Sequence, residues 1–245
     1  AFDPIRWGQI ATPGRVVRKK AFIALGFAGA RTRDATALIA TLIPTARGKV
    51  DIKALSGFHQ WPIGIWERPA HTEDGWEVDE AEVTAALNET FGAYQVALAF
   101  CDPHHWGPTI DTWAGKHGDA IVKYDTTKTR AIGYVFRDYK TMMGLALTDE
   151  ELAELGGVLP KPRMTHNGDA LFAEHIANAY KSDLRLLDED TEEPLWTLQK
   201  ERRDSPLKID ALISAILAWA CAVSAQNKGV GQTTDIPRTR FPRNI

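Results

Sequence analysis

The sequence predicts an α/β fold, a mixed sheet flanked by helices, on three observations. Ala21 to Phe27 and the stretch from Ala35 are apolar runs separated by Ala28-Gly29-Ala30, the pattern of two antiparallel strands joined by a tight connection. Val96 to Cys101 is an unbroken apolar run that stops at Asp102, as expected of a strand buried on both faces of a sheet. Helical and strand-like stretches then alternate, which is how β-α-β units are written.

In order along the chain, residues 1–20 contain Pro4, Pro13 and Gly14 with no sustained period and read as a lead-in to the hairpin. Gly57 to Pro69 is rich in aromatic and β-branched residues and reads as a third strand, irregular near Pro62. Asp79 to Tyr94 places Val83, Ala86, Leu87, Thr90 and Phe91 at helical spacing with acidic residues near its start, a crossover helix. A helix over Thr109 to His117, a strand over Ala120 to Tyr124 and a helix from Lys128 to about Leu147 follow. Asp149 to Arg163 reads as a surface excursion, with a short acidic helical piece before Gly-Gly and two prolines.

His166-Asn167-Gly168-Asp169 reads as a turn, with Asp169 capping a helix over Ala170 to Lys181 in which His175 and Asn178 share a face. Leu184 to Leu187 and Leu195 to Lys200 flank the acidic loop Asp188 to Glu193 as a hairpin. Ser205 and Pro206 suit the N-cap and first turn of a last helix, whose Ile209, Leu212, Ile213, Ile216, Leu217 and Ala220 keep a helical period. From Asn227 the chain turns to Gly, Thr, Pro and Arg. The organisation expected is a lead-in over 1–20, one α/β domain over 21–226 and a flexible tail or docking peptide over 227–245.

Composition narrows the function. At 245 residues and 44% hydrophobic the chain can bury a substantial core, and it contains no run of eighteen apolar residues, so a soluble, non-secreted protein is expected. Cys101 and Cys221 are far apart with no C-x-x-C pair, which speaks against a disulfide framework and a structural zinc site. A net charge of −3 excludes a generally basic nucleic-acid coat, so any DNA contact rests on local patches. The adjacent His104 and His105 lack the i, i+4 spacing of a helical zinc pair.

Gly26-Phe27-Ala28-Gly29-Ala30-Arg31 followed by Arg33-Asp34-Ala35-Thr36-Ala37-Leu38, then Phe100-Cys101-Asp102-Pro103 with Trp106, then Lys208-Ile209-Asp210-Ala211 occur in that order. Together, over about Ala21 to Ala222, they resemble the ribonuclease H-like C-terminal nuclease domain of tailed-bacteriophage terminase large subunits. The resemblance implies a metal-dependent endonuclease that cuts concatemeric double-stranded DNA, with carboxylates from the first strand, the end of the fourth strand and the C-terminal helix. Those positions fall on Ala28, where the family carries Asp, and on Asp102 and Asp210. One departure is therefore plain: the first metal-binding aspartate is replaced by Ala28, through deliberate disarming, which the intact flanks favour, or through natural loss of cutting.

Two ions about 4 Å apart, Mg²⁺ or Mn²⁺ by resemblance, can activate a water and stabilise the leaving oxygen when three or four carboxylates converge. Asp34 is read as a supporting residue beside position 28 or an extra metal ligand. His166 matches the family's segment before the following helix, which would let it approach the scissile phosphate. Asp102 before Pro103 equally suits a plain turn, and Asp210 a solvated helix face. The DNA-binding candidates are Lys123, Lys128, Arg130, Lys200, Arg202 and Arg203, at the ends of elements bordering Asp102 and Asp210. No G-x-x-x-x-G-K-[ST] loop occurs, so the packaging ATPase domain that precedes the nuclease in complete large terminases is expected to be absent. The resemblance also implies the small terminase subunit and the portal as partners, no membrane, and the host cytoplasm as the place of action. Two other readings are a resolvase-like nuclease on branched DNA, which would need a basic dimer surface, and a non-catalytic docking module of the packaging motor.

Overall fold

A computed structural model of the chain describes residues 1–32, 34–69, 75–127, 129–144, 149–154, 156, 162–189, 192–202 and 205–230. The predicted mixed sheet flanked by helices is what forms. Its centre is the hairpin of β1 (Phe22–Gly29) and β2 (Thr36–Leu42), antiparallel with Phe27 opposite Leu38 and Ala28 opposite Ala37. Ala28 thus lies inside β1 and not in the turn, and the connection is longer than a tight turn, closed by the Ala30 amide on the Ala35 carbonyl at 3.2 Å.

Two two-residue strands, β3 (Thr45–Ala46) and β4 (Lys49–Val50), form a small ladder of their own before β5 (Phe58–Trp66) returns to pair antiparallel with β2. The irregularity expected near Pro62 is a register shift between Leu38 and Ile39. Pro62 carries no ladder donor, and it sits beyond Phe58 to Gln60, where β5 pairs with β8 (Met164–His166). After α2 (Glu80–Ala93), β6 (Gln95–Cys101) docks parallel to β1, and after α3 (Gly107–His117), β7 (Ile121–Lys123) docks parallel to β6. The resulting order is β7-β6-β1-β2-β5-β8.

Because side chains alternate along a strand, the sheet has two apolar faces. Ile23, Leu25, Phe27, Ala99 and Cys101 face α2 and α3, whereas Ala24, Ala28, Ala37, Leu98 and Phe100 face the layer containing α4 (Thr129–Met142), α6 (Ala170–Ala177) and α7 (Asp210–Asn227). α7 lies directly on β1. The hairpin of β9 (Tyr180–Leu187) and β10 (Pro194–Gln199) packs on α4, pinned by the Arg137–Asp188 and Arg130–Glu189 ion pairs.

Several expectations shift. Residues 1–20, read as a lead-in, contain α1 (Pro4–Gln9), capped by Asp3, and bury Phe2, Trp7 and Ile10 in the core shared with α6 and α7. Met164–His166 is a strand, so the expected turn begins only at Asn167. α6 ends at Ala177 because the alternating strand β9 takes over from Tyr180, and Lys181 is therefore not helical. α4 ends at Met142, short of Leu147. The acidic piece α5 (Asp149–Glu154) is helical as read. α7 starts at Asp210, four residues after Pro206, with Ile209 as its uncapped N-cap. The tail beyond Val230 lies outside the described residues, while Val230 itself packs against the core. Among the described residues no helix is long and apolar enough to cross a membrane.

Candidate active site

Three elements bring the sequence-nominated positions to one end of the sheet. The Asp102 amide donates to the Phe27 carbonyl at 2.9 Å, extending the β6–β1 ladder by one residue and setting Asp102 beside Ala28. Adjacent strands are about 5 Å apart, within reach of a shared ligand. On β1, Ala28 faces the α7 layer. The Ser214 hydroxyl donates to the Ala37 carbonyl at 3.0 Å and the Ala28 carbonyl at 3.5 Å, fixing α7 over both strands. Asp210 precedes Ser214 by about one helical turn and so overhangs the C-terminal end of β1. Its Oδ2 accepts from the Ala35 amide at 3.3 Å, across the β1–β2 connection.

The two aspartates have different surroundings. Asp102 is half-buried; its Oδ2 accepts from the Thr126 hydroxyl at 2.5 Å and its Oδ1 from the His104 amide at 3.2 Å. Asp210 has no salt bridge among the described residues, and burial, reinforced by the charge of Asp34, pushes its carboxyl up to about 7 against the pull of Lys200. Asp34 itself is claimed by two ammonium groups, Lys200 and Lys208. Burial alone would raise Asp34, but Lys200 first and Lys208 second outweigh it and hold the carboxyl below its ordinary value.

The connection carrying Asp34 is anchored by Arg31, stacked 4.5 Å over Trp106 and paired with Glu80 at 2.8 Å. On the far side, His175 of α6 is buried with Nε2 at 2.6 Å from Glu67 Oε1, and its Nδ1 accepts from the Ala211 amide at 2.9 Å. Burial lowers the His175 pKa and Glu67 partly restores it. Glu67 and Thr126 carry no local sequence signal, because each takes its place through partners distant in sequence, and Lys208, though within the Lys208-Ile209-Asp210-Ala211 motif, gave no sign of its pairing with Asp34.

The remaining nominated residues divide. Lys123 is exposed and paired with Asp111 at 2.7 Å, Arg130 is paired with Glu189 at 2.9 Å, and Arg202 is exposed. Lys200 is turned inward on Asp34 with its side chain 14% exposed, so it belongs to the site and not to an open phosphate-contacting face. Lys128 and Arg203 lie outside the described residues. His166 is not at this site. It is buried and stacked on Trp7 at 4.1 Å, with Nε2 on the Trp7 carbonyl and Nδ1 accepting from the Gly168 amide. Through Gln60 and Thr41 it is level with Ala24, so His166 lies about 13 Å along the strand direction and three strands, about 14 Å, across from Ala28.

Across 90% of its length the chain superposes on the large terminase nuclease from thermophilic phage G20c, with a TM-score of 0.51 at 12% identity and 98% of that structure covered. This is the large terminase nuclease fold. The large terminase of bacteriophage HK97 matches over 88% of this chain and 42% of its own length, with a TM-score of 0.57 at 15% identity. Two phage sequences resemble the chain as well: the Gene 13 proteins of Mycobacterium phages D29 and L5 are each 24% identical, over 228 and 197 residues. The chain spans 34% of the D29 protein and 28% of the L5 protein. No protein-family model matches it. In this terminase nuclease fold the sheet is the ribonuclease H-like one that the sequence motifs imply.

The donor set fits a hard divalent cation in part. Asp102 and Asp210 offer carboxylate oxygens, the ligand type of Mg²⁺ and Mn²⁺, and Asp210 is half-buried with no salt bridge among the described residues. Ala28, on the strand beside Asp102, offers only a methyl group. Accordingly, among the described residues no group of three or more His, Cys, Asp or Glu is placed to hold a metal ion.

Proposed function

We propose that this chain is the nuclease domain of a phage DNA-packaging terminase, built for metal-dependent hydrolysis of concatemeric double-stranded DNA and disarmed at Ala28. The observation that carries this reading is the convergence of Ala28, Asp102 and Asp210 at one end of the sheet, from three separate elements, in the large terminase nuclease fold. Mg²⁺ or Mn²⁺, when bound, supplies Lewis acidity to the scissile phosphate and to the water that attacks it, most fully as a two-ion pair.

The chain's own residues do the holding. Asp102 and Asp210 are the ligands, Thr126 and the Ala35 amide orient them, and Asp34, neutralised by Lys200 and Lys208, shapes the mouth of the site. Lys123, Arg130 and Arg202, with Lys128 and Arg203 in the adjoining segments, meet the phosphate backbone without reading sequence. The DNA, the ATPase domain, the small terminase subunit and the portal are the partners this role requires, and the host cytoplasm is where it acts.

A second reading has one observation in its favour. Ala28 is 3% exposed and well packed, so the chain as it stands suits a docking module of the packaging motor that holds DNA or portal without cutting. Plasmid cleavage in Mn²⁺ or Mg²⁺ separates the two. On the nuclease reading Ala28→Asp cuts and Ala28→Asp with Asp102→Ala does not; a folded Ala28→Asp that stays inert favours docking.

A further inference from the structure

We propose that His175, held by Glu67, is a positioning residue that keeps Asp210 aimed into the site. The proposal rests on Asp210 being a carboxylate of the nuclease site. The first amides of a helix have no partner within it, and they are normally satisfied by a polar side chain at the N-cap. At α7 the N-cap is Ile209, whose side chain is buried in the core and offers no acceptor to them. Leu212 and Ile213 reach the Ile209 carbonyl at 3.0 and 3.2 Å, which leaves the buried Ala211 amide without a backbone acceptor.

A neighbouring helix supplies it. His175 Nδ1, from α6, accepts from the Ala211 amide at 2.9 Å. Since Nδ1 is the acceptor, the ring proton sits on Nε2, where Glu67 Oε1 receives it at 2.6 Å. Glu67, just past the end of β5, therefore selects the tautomer that can cap α7. One turn further along α6, Asn178 donates to the Lys208 carbonyl at 3.2 Å, so the helix grips the chain on both sides of Asp210.

The consequence concerns the carboxylate. Asp210 is the first residue of α7, and an acidic side chain there is drawn to the free amides and to the positive end of the helix. With the Ala211 amide already occupied, the Asp210 carboxylate accepts from its own backbone amide and from the Ala35 amide, on the face it shares with Ala28 and Asp102. Without His175 it can turn to the freed Ala211 amide and leave the site. Sequence spacing could not show this arrangement, because Glu67 and His175 are 108 residues apart and His175 and Ala211 are 36 apart.

The test uses Mn²⁺ binding followed by electron paramagnetic resonance in the Ala28→Asp chain, alone and combined with His175→Ala or His175→Asn. The Asn side chain can present its oxygen near the place of Nδ1. The expected result is a loss of Mn²⁺ affinity of about 10- to 100-fold for His175→Ala, the range found when a group orienting a ligand is removed, with recovery in His175→Asn. A folded His175→Ala that binds Mn²⁺ like its parent, or a His175→Asn that restores nothing, overturns the proposal. Should His175→Ala not fold, Glu67→Ala carries the same comparison, since it releases the tautomer and leaves the imidazole in place. If Ala28→Asp binds no Mn²⁺ at all, the nuclease reading fails on its own account. The positioning is then decided in the unaltered chain by nuclear magnetic resonance: His175→Ala must speed exchange of the Ala211 amide and shift the Asp210 carboxyl resonance, and unchanged signals refute it.

Discussion

A Cβ on Gly26 would overlap the carbonyl oxygen of Ser214 and stand 2.9 Å from the Ala218 Cα, so α7 rests on β1 at a separation that only glycine permits. This close approach sets the height of Asp210 above Ala28. Gly26→Ala is expected to force the helix off the sheet at a cost of about 3 kcal/mol or more, since backbone atoms and not a flexible side chain stand in the way. Urea denaturation reads the loss; an alanine variant as stable as the parent would show that α7 can shift freely.

His59 makes the fold sensitive to acid. It is fully buried, its Nδ1 is 2.9 Å from the Thr165 hydroxyl, and burial, followed by the charges of Arg15 and His166, lowers it to about 4. The unfolded chain, with an ordinary histidine near 6.5, takes up the proton first as pH falls. Stability from this group is therefore complete above about pH 7 and is lost between about 6.5 and 4, at up to about 1.4 kcal/mol per pH unit. Asp210 acts in the opposite sense, because its raised carboxyl costs stability as pH climbs from about 4 to about 7. The difference between parent and His59→Gln isolates the histidine: the two urea midpoints should converge as pH falls from 7 to 4.5, and parallel curves would contradict the assignment.

His166 separates structure from chemistry. Both of its ring nitrogens are engaged and Trp7 covers its face, far from Ala28. His166→Gln in the Ala28→Asp background should lower stability by about 1–3 kcal/mol, through buried groups left unpaired, while cleavage below the melting range persists. Loss of cleavage at unchanged stability would return His166 to the site.

For DNA, Lys123 and Arg130 sit in exposed ion pairs with Asp111 and Glu189. Such pairs are worth only about 0–1 kcal/mol and yield readily to a phosphate. Neutralising either residue should reduce the slope of log affinity against log salt by about 1 for each phosphate that the residue engages. Lys200→Met should change metal binding more than this slope, because its ammonium is committed to Asp34. A Lys200→Met chain with a reduced salt slope and unaltered metal affinity would place Lys200 on the DNA face after all.

Much of the architecture was legible because burial on two faces writes itself as unbroken apolar runs. β1, β2 and β6 follow from Ala21 to Phe27, the run from Ala35, and Val96 to Cys101. β8 was not legible: three residues at a sheet edge are too few to show a period, and the Asn-Gly beside them has the composition of a turn. The start of α7 misled for a similar reason, since Ser205-Pro206 is a good cap locally but the helix waits for Asp210, where α6 supplies the acceptor. α1 left an unused clue in Asp3-Pro4, an N-cap followed by proline at the first turn. At the site, Asp102 and Asp210 came from motif order, whereas Glu67, Thr126 and the Lys200–Asp34 pair depend on long-range packing that no local pattern records.

The most direct measurement is the anomalous scattering of Mn²⁺ in crystals of the Ala28→Asp chain. Manganese is expected on carboxylate oxygens of Asp102, Asp210 and the newly introduced side chain, with Asp34 remaining on its lysines. Manganese bound away from Asp102 or Asp210, or none bound in well-ordered crystals, would contradict that assignment.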